Sequence, residues 1–487
     1  MVPIARLGWN CRPARCRTPP ACWKPMACLS SASLTASWCL LRRLPAWRCC
    51  WWSDHMTLPW QQPVSDSYWQ ASDVATSVFP VLQDTVSADV VVIGAGYAGL
   101  STALHLAREG RSVVVLEAGD IGHGGAGRNN GMVIPALTRA FPDDLRRHYG
   151  DVRGERMARF VAGSAAFTFD LIRELGIECE AVQQGWIQPA HSPGRARQAV
   201  QRARQWQALG ASVSELDAAG VQALSGATEY FGGWIAHDGG HVHPLKLVRG
   251  LAAAAQAAGA QIYVQSAALK VEAALPGWQV RTAKGAVQAQ RVVVTTDAYA
   301  DGLFPALQHS VVPVQFYQLA TSVLPESVRA QVLPGQVAIS DTRGDMHFAR
   351  PTVDGRLVSG GVLAVPAAWR PRLESRIRAR LARVFPHLGL DWRFEHGWFG
   401  HVGITLDFLP HLHELAPGVV ALTGFNGRGV ALAVAAGKML AEAAQGRSSD
   451  DLDIPRTQPK AIPLHGVVRK VATLELLRYR WRDRKEV

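Results

Sequence analysis

The chain has 487 residues, of which 48% are hydrophobic, and a formal net charge of +12. This length allows two or three domains with a substantial core, and the composition excludes collagen-like and disordered chains. Residues 1–55 hold eight basic side chains and one acidic one, so the rest carries 43 basic and 38 acidic residues. This mild positive balance suits an anionic cofactor, and we expect no nucleic-acid partner.

The N-terminal segment, residues 1–55, differs from the rest. It contains seven of the eight cysteines and leaves only Cys179 to the remainder of the chain. The cysteine spacing fits no zinc motif, and a lone cysteine in the body indicates a reducing compartment, so we expect a cytoplasmic protein. A signal or transit peptide and a metal-binding tail are alternatives. We interpret residues 1–55 as a non-structural extension, created by translation that starts too far upstream, and residues 56–85 as an N-terminal arm.

A buried strand that leads into a glycine turn is the first strong pattern. The apolar run Val90–Ile93 predicts a strand covered on both faces. The G-x-G-x-x-G turn that follows consists of Gly94, Gly96 and Gly99. In this motif the first glycine permits the tight turn, the second lets the backbone approach a pyrophosphate, and the third allows close helix–strand packing. The predicted helix Ser101–Glu109 would direct the N–H groups of its N-terminus at the phosphates.

An acidic residue follows a second predicted strand, Ser112–Leu116. Glu117 comes twenty-three positions after Gly94, where a carboxylate accepts hydrogen bonds from the adenosine ribose. A carboxylate there repels a 2′-phosphate and argues against NADP. The glycine turn alone leaves FAD, NAD and a turn without cofactor as alternatives.

A second glycine-dense loop, Gly122–Gly131, comes next, and it contains Arg128, Asn129 and Asn130. Here the chain resembles the D-amino-acid-oxidase-like superfamily of FAD-dependent amine oxidoreductases. Within it the loop is most similar to the G-x-G-A-S-G-R-N-G-G form of the gamma-glutamylputrescine oxidoreductase group. The resemblance covers about residues 60–487. The other matching motifs are Gly239–Lys246, Arg350–Gly361, Trp398–Gly400, Gly403–Pro410 and Leu422–Val430. Departures from the family pattern occur at His123, Gly125, Asn130, Asp297 and Arg428.

The resemblance implies FAD as the cofactor and an α/β fold with an α+β second domain. In such a fold a Rossmann-like FAD-binding part is interrupted by a substrate domain with an antiparallel sheet. The predicted ranges are 86–135, 230–300 and 396–446 for the FAD-binding part, 136–229 and 301–395 for the substrate domain, and 447–487 for a C-terminal tail.

The expected FAD contacts come from three glycine loops and the acidic residue. They are Gly94, Gly96, Tyr97, Ala98, Gly99, Glu117, Ala118, Gly125, Arg128, Asn129, Asn130, Gly131, Ala268, Gly424, Gly427, Arg428, Gly429 and Val430. The third loop joins a predicted strand, Val419–Leu422, to an Ala-rich helix, Val430–Ala444. The N-terminus of that helix and Arg428 would stabilise negative charge on a reduced flavin. A surface salt bridge is the alternative for Arg428.

Arg350, Arg428 and Tyr317 are the catalytic candidates. Arg350 ends a predicted strand, Asp345–Arg350, and the resemblance places it at the substrate cavity, where it would bind a carboxylate bidentately. A structural ion pair is the alternative.

Four aromatic residues are candidates for a wall around the amine, which cation–π contacts would stabilise. They are Tyr317, Trp398, His401 and Phe425. Filling a core is the alternative for them.

Three histidines are interpreted as turn residues. His123 lies beside the second loop, and covalent attachment of flavin is its alternative role. His241 and His243 precede Pro244 without a third ligand in pattern, so we expect no metal.

The expected activity is FAD-dependent oxidation of a primary or secondary amine, gamma-glutamylputrescine-like or an amino acid. Hydride passes to flavin N5, the imine hydrolyses to an aldehyde or keto acid, and molecular oxygen or another acceptor takes the electrons. The alternatives are an FAD-dependent dehydrogenase of a hydroxy acid or other amine that uses a quinone, and a non-catalytic FAD-binding protein.

The stretch Val467–Arg482 predicts an amphipathic basic helix, which we interpret as docked or dimer-contacting, with contact to an anionic membrane as the alternative.

Overall fold

The computed structural model describes residues 66–73, 78–300 and 302–486. The interpretation of residues 1–55 therefore lies outside the described residues. The helices are α1 (Tyr68–Ala71), α2 (Tyr97–Arg108), α3 (Pro142–Tyr149), α4 (Asp151–Glu174), α5 (Pro193–Ala208), α6 (Ala218–Ser225), α7 (Pro244–Ala257), α8 (Pro305–Gln308), α9 (Glu326–Arg329), α10 (Trp369–Val384), α11 (Gly429–Ala444), α12 (His465–Val471) and α13 (Glu475–Lys485).

Nineteen strands accompany these helices in the described ranges. They are β1 (Thr85–Ile93), β2 (Val113–Leu116), β3 (Met132–Val133), β4 (Trp186–Pro189), β5 (Val213–Leu216), β6 (Gly233–Ala236), β7 (Gly240–His241), β8 (Gln261–Tyr263), β9 (Lys270–Ala274), β10 (Gly277–Arg281), β11 (Ala286–Val294), β12 (Val312–Thr321), β13 (Ala338–Ser340), β14 (Phe348–Pro351), β15 (Leu357–Gly361), β16 (Phe394–Ile404), β17 (His411–Ala416), β18 (Val419–Thr423) and β19 (Arg456–Thr457).

The first sheet has a parallel centre in the order β8, β2, β1, β11, β18. Residues Val90–Ile93 of β1 are all at most 4% exposed, because helices cover the sheet. Two of these helices, α2 and α11, contact each other closely, and Ser101 Oγ donates to the carbonyl oxygen of Val434 at 2.7 Å. The antiparallel hairpin of β9 and β10 pairs with the first half of β11. The predicted α/β, Rossmann-like class is confirmed.

Element ends differ from the predictions by a few residues. Helix α2 begins at Tyr97, four residues before the predicted start, because Gly96 is its N-cap. β18 extends by one residue to Thr423, and α11 begins at Gly429.

The second sheet has eight strands in the order β16, β12, β15, β14, β13, β4, β6, β5. All neighbours are antiparallel except β13 and β4, which run parallel. Strand β6 and all but the first two residues of β16 lie in the ranges predicted for the FAD-binding part. Both strands pair in the second sheet instead, β16 with β12 and β6 with β4 and β5. This pairing brings β16 to the second glycine loop, where a Cβ at Gly125 would lie 3.5 Å from the carbonyl oxygen of His401.

The core of the second sheet lies under α10. Leu373, Ile377 and Leu381 recur every four residues on that helix and are at most 2% exposed, against Leu319 of β12. Burial of each such side chain contributes about 1.5–3 kcal/mol to folding.

The C-terminal tail is not one continuous helix. A 3-10 turn, Ala472–Leu474, divides the predicted stretch into α12 and α13. Within the described ranges, none of the helices combines the length and apolar character that crossing a bilayer requires.

Candidate active site

A cavity of 1540 Å³ lies where the carboxyl ends of β1, β2 and β11 face the second sheet. Ligands of parallel α/β sheets bind at this edge of the strands. Most ligand pockets hold about 300–1,000 Å³, so this cavity has room for a dinucleotide together with a second molecule.

The first glycine loop forms one end of the cavity. Gly94 has a φ of +103°, and a Cβ at Gly99 would lie 1.9 Å from the carbonyl oxygen of Gly94. Neither position therefore accepts a side chain. Gly96, the N-cap of α2, makes no side-chain hydrogen bond, so the N–H groups of the first turn are available to phosphate oxygens.

Glu117 follows β2 and lines the same end of the cavity. Its two oxygens accept hydrogen bonds from the backbone N–H groups of Ala95 at 2.8 Å and Gly119 at 2.9 Å. Burial raises its pKa. These two bonds fix the carboxylate at the place that the sequence predicts for the ribose.

The second glycine loop is folded by its own side chains. Asn129 Nδ2 donates to the carbonyl oxygens of Gly125 at 3.0 Å and Ala126 at 2.8 Å. Arg128 is 2% exposed, and its Nε donates to the carbonyl oxygen of His123 at 2.6 Å. Burial lowers the pKa of Arg128. His123, Gly125, Arg128 and Asn129 all line the cavity.

Fifteen of the eighteen predicted FAD contacts line this cavity, and three glycines do not. Gly99 packs against Gly94, and a Cβ at Gly131 would lie 2.1 Å from the carbonyl oxygen of Val242. Gly424 donates its N–H to Asp297 Oδ1 at 2.7 Å. These three glycines shape the backbone behind the cavity wall.

The residues present fit FAD. Two helix N-termini without side-chain caps, those of α2 and α11, reach the cavity at Gly96 and Gly429. The first suits the pyrophosphate, and the second suits negative charge on the flavin ring. Glu117 lies between β2 and the first loop, at the position that the sequence predicts for the ribose.

Arg350 does not reach the cavity, contrary to the expectation. Its Nε donates to the carbonyl oxygen of Asn130 at 2.7 Å, and its terminal nitrogens donate to the carbonyl oxygens of Pro351 and Val242 at 2.9 and 3.0 Å. Burial lowers its pKa to about 10. Among the described residues Arg350 forms no ion pair, so the alternative interpretation, a structural ion pair, does not hold either. Its hydrogen bonds go to backbone carbonyls instead.

Tyr317 also lies away from the cavity, in the core of the second sheet. It is 1% exposed and stacks on Trp369 with ring centroids 4.9 Å apart. Successive strand residues point to opposite faces, so its neighbours Phe316 and Gln318 face the cavity instead. The expected role of Tyr317 in the amine wall is therefore wrong.

The other three members of the expected aromatic wall divide between core and cavity. Trp398 is buried behind the second glycine loop, where its Nε1 donates to the carbonyl oxygen of Arg128 at 2.9 Å. His401 and Phe425 line the cavity. Burial lowers the pKa of His401 to about 4, so this imidazole is neutral near pH 7.

His241 and His243 have structural roles. His243 Nδ1 accepts the N–H of Lys246 at 3.2 Å and caps α7. His241 Nδ1 lies 3.2 Å from a terminal nitrogen of Arg350. The part of the chain that the structure describes contains no group of three or more side chains suited to a metal ion.

Arg428 is the only catalytic candidate of the three that lines the cavity. It is 5% exposed, and its guanidinium lies 3.5 Å from Ser340 Oγ and 4.9 Å from the ring centroid of Trp186. Burial lowers its pKa to about 10. The alternative role of Arg428, a surface salt bridge, is not observed, because the side chain is buried and forms no ion pair among the described residues.

Sequence reasoning missed Arg202, a partly buried arginine that lines the cavity from α5. One terminal nitrogen donates to Gln188 Oε1 at 2.7 Å, and the guanidinium lies 3.8 Å from the ring of Phe141. Burial, with a smaller contribution from Arg428, lowers its pKa to about 9. No local motif marks Arg202, because tertiary packing of α5 brings it to the cavity.

Two further cavity residues, Thr295 and Tyr299, follow β11 and were also missed. Thr295 Oγ1 donates to the carbonyl oxygens of Ile93 and Gly94, each at 3.0 Å. Tyr299 Oη accepts the backbone N–H of His401 at 3.1 Å. Their position at the end of a third parallel strand is the signal that would have identified them.

Comparisons with known proteins agree with this geometry. Residues 89–443 match the family model described as FAD dependent oxidoreductase. The chain is 31% identical over 434 residues to the probable oxidoreductase OrdL of Rhizobium meliloti (strain 1021), and the match covers 88% of this chain and 100% of the relative. It is 30% identical over 384 residues to gamma-glutamylputrescine oxidoreductase of Escherichia coli (strain K12), with 78% and 89% covered.

The crystal structure of glycine oxidase from Geobacillus kaustophilus has a similar fold, with a TM-score of 0.62 at 22% identity. The match covers 74% of this chain and 96% of that chain. The glycine loops, the acidic residue and the family match together establish that this chain belongs to the FAD dependent oxidoreductase family, as an FAD-dependent enzyme of amine and amino-acid oxidoreductase type.

Proposed function

We propose that this enzyme oxidises the carbon–nitrogen bond of an amine that also carries a carboxylate, such as a gamma-glutamylputrescine-like compound or an amino acid. The observation that carries the proposal is a pair of cavity arginines, the buried Arg428 and the partly buried Arg202. Neither has a carboxylate within ion-pair distance in the described part of the chain.

Burial of an unbalanced cation is unfavourable unless a ligand supplies the opposite charge. Among the described residues, the hydrogen-bond partners of Arg202 and Arg428 are neutral oxygens, Gln188 Oε1 and Ser340 Oγ. Their other close contacts are aromatic rings, and Arg202 Nε is buried without a hydrogen-bond partner. Because two like charges also repel each other, an anion between them is stabilised by both. A planar carboxylate matches the paired donors of a guanidinium.

The pyrophosphate of FAD is a less suitable partner for these arginines. It is expected at the N-terminus of α2, beside Gly96. Arg428 instead contacts β13 through Ser340, and Arg202 contacts β4 through Gln188. Both strands belong to the second sheet, and we assign that side of the cavity to the substrate.

When bound, FAD supplies an acceptor for the hydride that leaves the carbon beside the amine nitrogen, and the imine product then hydrolyses to an aldehyde or keto acid. The arginines hold the carboxylate and so orient the amine. Phe316 and Phe425 present apolar surface to the cavity and exclude water. His401 is neutral near pH 7 and adds no positive charge that would repel an amine.

Anaerobic addition of candidate substrates to the purified holoenzyme tests the proposal. We expect gamma-glutamylputrescine or an amino acid to bleach the flavin absorbance, and a hydroxy acid to leave it unchanged. Bleaching by the hydroxy acid alone would contradict amine oxidation. Air admitted afterwards identifies the acceptor, because prompt recovery of the absorbance indicates that molecular oxygen takes the electrons.

Replacement of Arg202 tests whether this arginine binds the carboxylate of the substrate. For Arg202→Gln we expect the half-bleaching concentration of a carboxylate-bearing amine to rise by roughly 10–100-fold, since one charge-assisted hydrogen bond is lost. The value for putrescine, which has no carboxylate, should stay unchanged. Arg204→Gln is the matched control, because Arg204 lies on the same helix but is exposed and pairs with Glu215 at 2.9 Å.

A further inference from the structure

The C-terminal helices expose a row of large apolar side chains. Six of the sixteen large apolar side chains that are exposed in the described ranges lie within residues 464–481. They recur at intervals of three or four residues, which places Val467 and Val471 on one face of α12 and Leu477 and Trp481 on one face of α13. We call this set the C-terminal apolar stripe. Its members are Leu464, Val467, Val471, Leu474, Leu477 and Trp481, which are 45–77% exposed.

The opposite face of α13 is fastened to the body of the protein. Leu476 is 7% exposed. Asp483 Oδ2 accepts the N–H of Gly344 at 2.9 Å, and Arg480 Nε donates to Asp345 Oδ2 at 2.7 Å. These contacts determine which face of α13 is buried, so Leu477 and Trp481 stay on the outside.

The basic residues that are exposed near the stripe are Lys470, Arg478, Arg484 and Lys485. Residues 464–486 contain three acidic residues and seven basic ones, namely Arg469, Lys470, Arg478, Arg480, Arg482, Arg484 and Lys485. The acidic Glu486 is already bonded to Arg195, at 2.7 and 2.8 Å. Lys485 Nζ lies 3.8 Å from the ring centroid of Trp481. An apolar helix face with Trp and flanking Lys and Arg is typical of a helix that lies in the interface of an anionic membrane.

We propose that the C-terminal apolar stripe docks this protein on the surface of an anionic lipid bilayer. The apolar side chains enter the boundary between headgroups and acyl chains, and the basic side chains attract the anionic headgroups. A second copy of the chain is the less suitable occupant. A two-fold contact would place the same basic surface on both sides, so that like charges would face each other.

Docking through this face brings the bilayer to the mouth of the cavity. Val471 and Leu474 belong to the stripe and also line the cavity. Leu406 lines the same cavity and is 67% exposed. The cavity of the docked enzyme therefore opens at the bilayer surface.

Flotation of the purified holoenzyme with large unilamellar vesicles tests the proposal. We expect the protein to float with phosphatidylcholine vesicles that contain about one-third phosphatidylglycerol, and to remain unbound with pure phosphatidylcholine. High salt should release it, because salt screens charges at an exposed surface. Absence of flotation with the anionic vesicles at low salt would overturn the proposal.

Variants of the stripe separate docking from nonspecific adhesion. Leu477 and Trp481 are exposed and do not line the cavity, so Leu477→Ser with Trp481→Ser should fold normally. We expect this double variant to need roughly tenfold more anionic lipid for half-maximal binding. The matched control is Leu269→Ser with Leu275→Ser, which changes exposed apolar residues elsewhere and should bind as the wild type does.

Charge and self-association are measured separately. Replacement of Lys470, Arg484 and Lys485 by Gln should weaken binding to anionic vesicles and reduce its dependence on salt. Light scattering without lipid detects a dimer. One outcome would overturn the membrane proposal and assign the stripe to a second copy of the chain. In that outcome the wild type binds no vesicles but forms a dimer, and the Leu477→Ser and Trp481→Ser changes dissociate this dimer.

Discussion

The Nε of Arg350 donates a hydrogen bond of 2.7 Å to the carbonyl oxygen of Asn130, and this bond ties β14 to the end of the second glycine loop. A terminal nitrogen of the same side chain bonds the carbonyl oxygen of Val242 at 3.0 Å. One guanidinium thereby joins three separate parts of the chain next to the FAD-binding loops. Lysine cannot reproduce this geometry, because it carries a single point charge on a flexible stem.

Arg350→Lys should therefore destabilise the protein without a direct effect on substrate binding. We expect the free energy of unfolding to fall by about 2–5 kcal/mol, since several hydrogen bonds from a charged donor are lost. Urea unfolding measures this, and Arg329→Lys, at an exposed position, is the control. Unchanged stability together with a large rise in KM would instead place Arg350 at the substrate.

Glu117→Gln should weaken FAD binding. The carboxylate accepts the N–H groups of Ala95 and Gly119, whereas an amide presents a donor to one of them. We expect the Kd for FAD to rise by roughly 10–100-fold, measured by titration of the apoprotein. Asp120→Asn, three residues further along at an exposed position, should bind FAD normally. Equal losses in both variants would mean that general loop damage is responsible.

Tyr317→Phe and Phe316→Ala should have opposite consequences, although the residues are neighbours. The hydroxyl of Tyr317 is buried with no hydrogen-bond partner among the described residues, so its removal should leave kcat unchanged and alter stability by about 1 kcal/mol or less. Phe316 faces the cavity, and its truncation should raise KM. Steady-state kinetics of both variants decide this. A strong loss of kcat in Tyr317→Phe would restore its catalytic role.

Acid should destabilise the protein through His243. Its pKa is lowered from 6.5 to about 3, mainly by burial. Between these two values the unfolded chain binds more protons than the native chain, so stability present above pH 6.5 is lost as the pH falls. At pH 5 this histidine alone should lower the free energy of unfolding by about 2 kcal/mol.

His243→Asn keeps a helix-capping side chain and removes the titration. Urea unfolding between pH 7.5 and pH 5 should therefore show a smaller loss of stability in this variant than in the wild type. His387→Asn, which replaces an exposed histidine, is the control and should keep the wild-type slope. Identical slopes in all three proteins would contradict the prediction.

Local sequence patterns were sufficient where a function depends on consecutive residues. Gly94 and Gly96 make one continuous turn, and Glu117 follows the next strand at a distance that the βαβ unit determines. Tyr317 shows where this reasoning ends. Neighbouring residues of a strand point to opposite faces of the sheet, so an error of one residue puts a side chain on the wrong face. Which face lines the cavity depends on the pairing of β12 with β15 and β16, and the local sequence does not show this pairing.

The sequence by itself predicted the glycine turn and the acidic residue after β2, because these features depend on short spacings along the chain, whereas FAD followed from the resemblance of the second glycine loop to a known family. Only the tertiary structure decided which arginines reach the cavity. Arg350 turns to backbone carbonyls, while Arg202 arrives on a helix that is more than two hundred residues from Arg428. Charge at a site depends on what packs around each side chain, and that environment is built from distant segments.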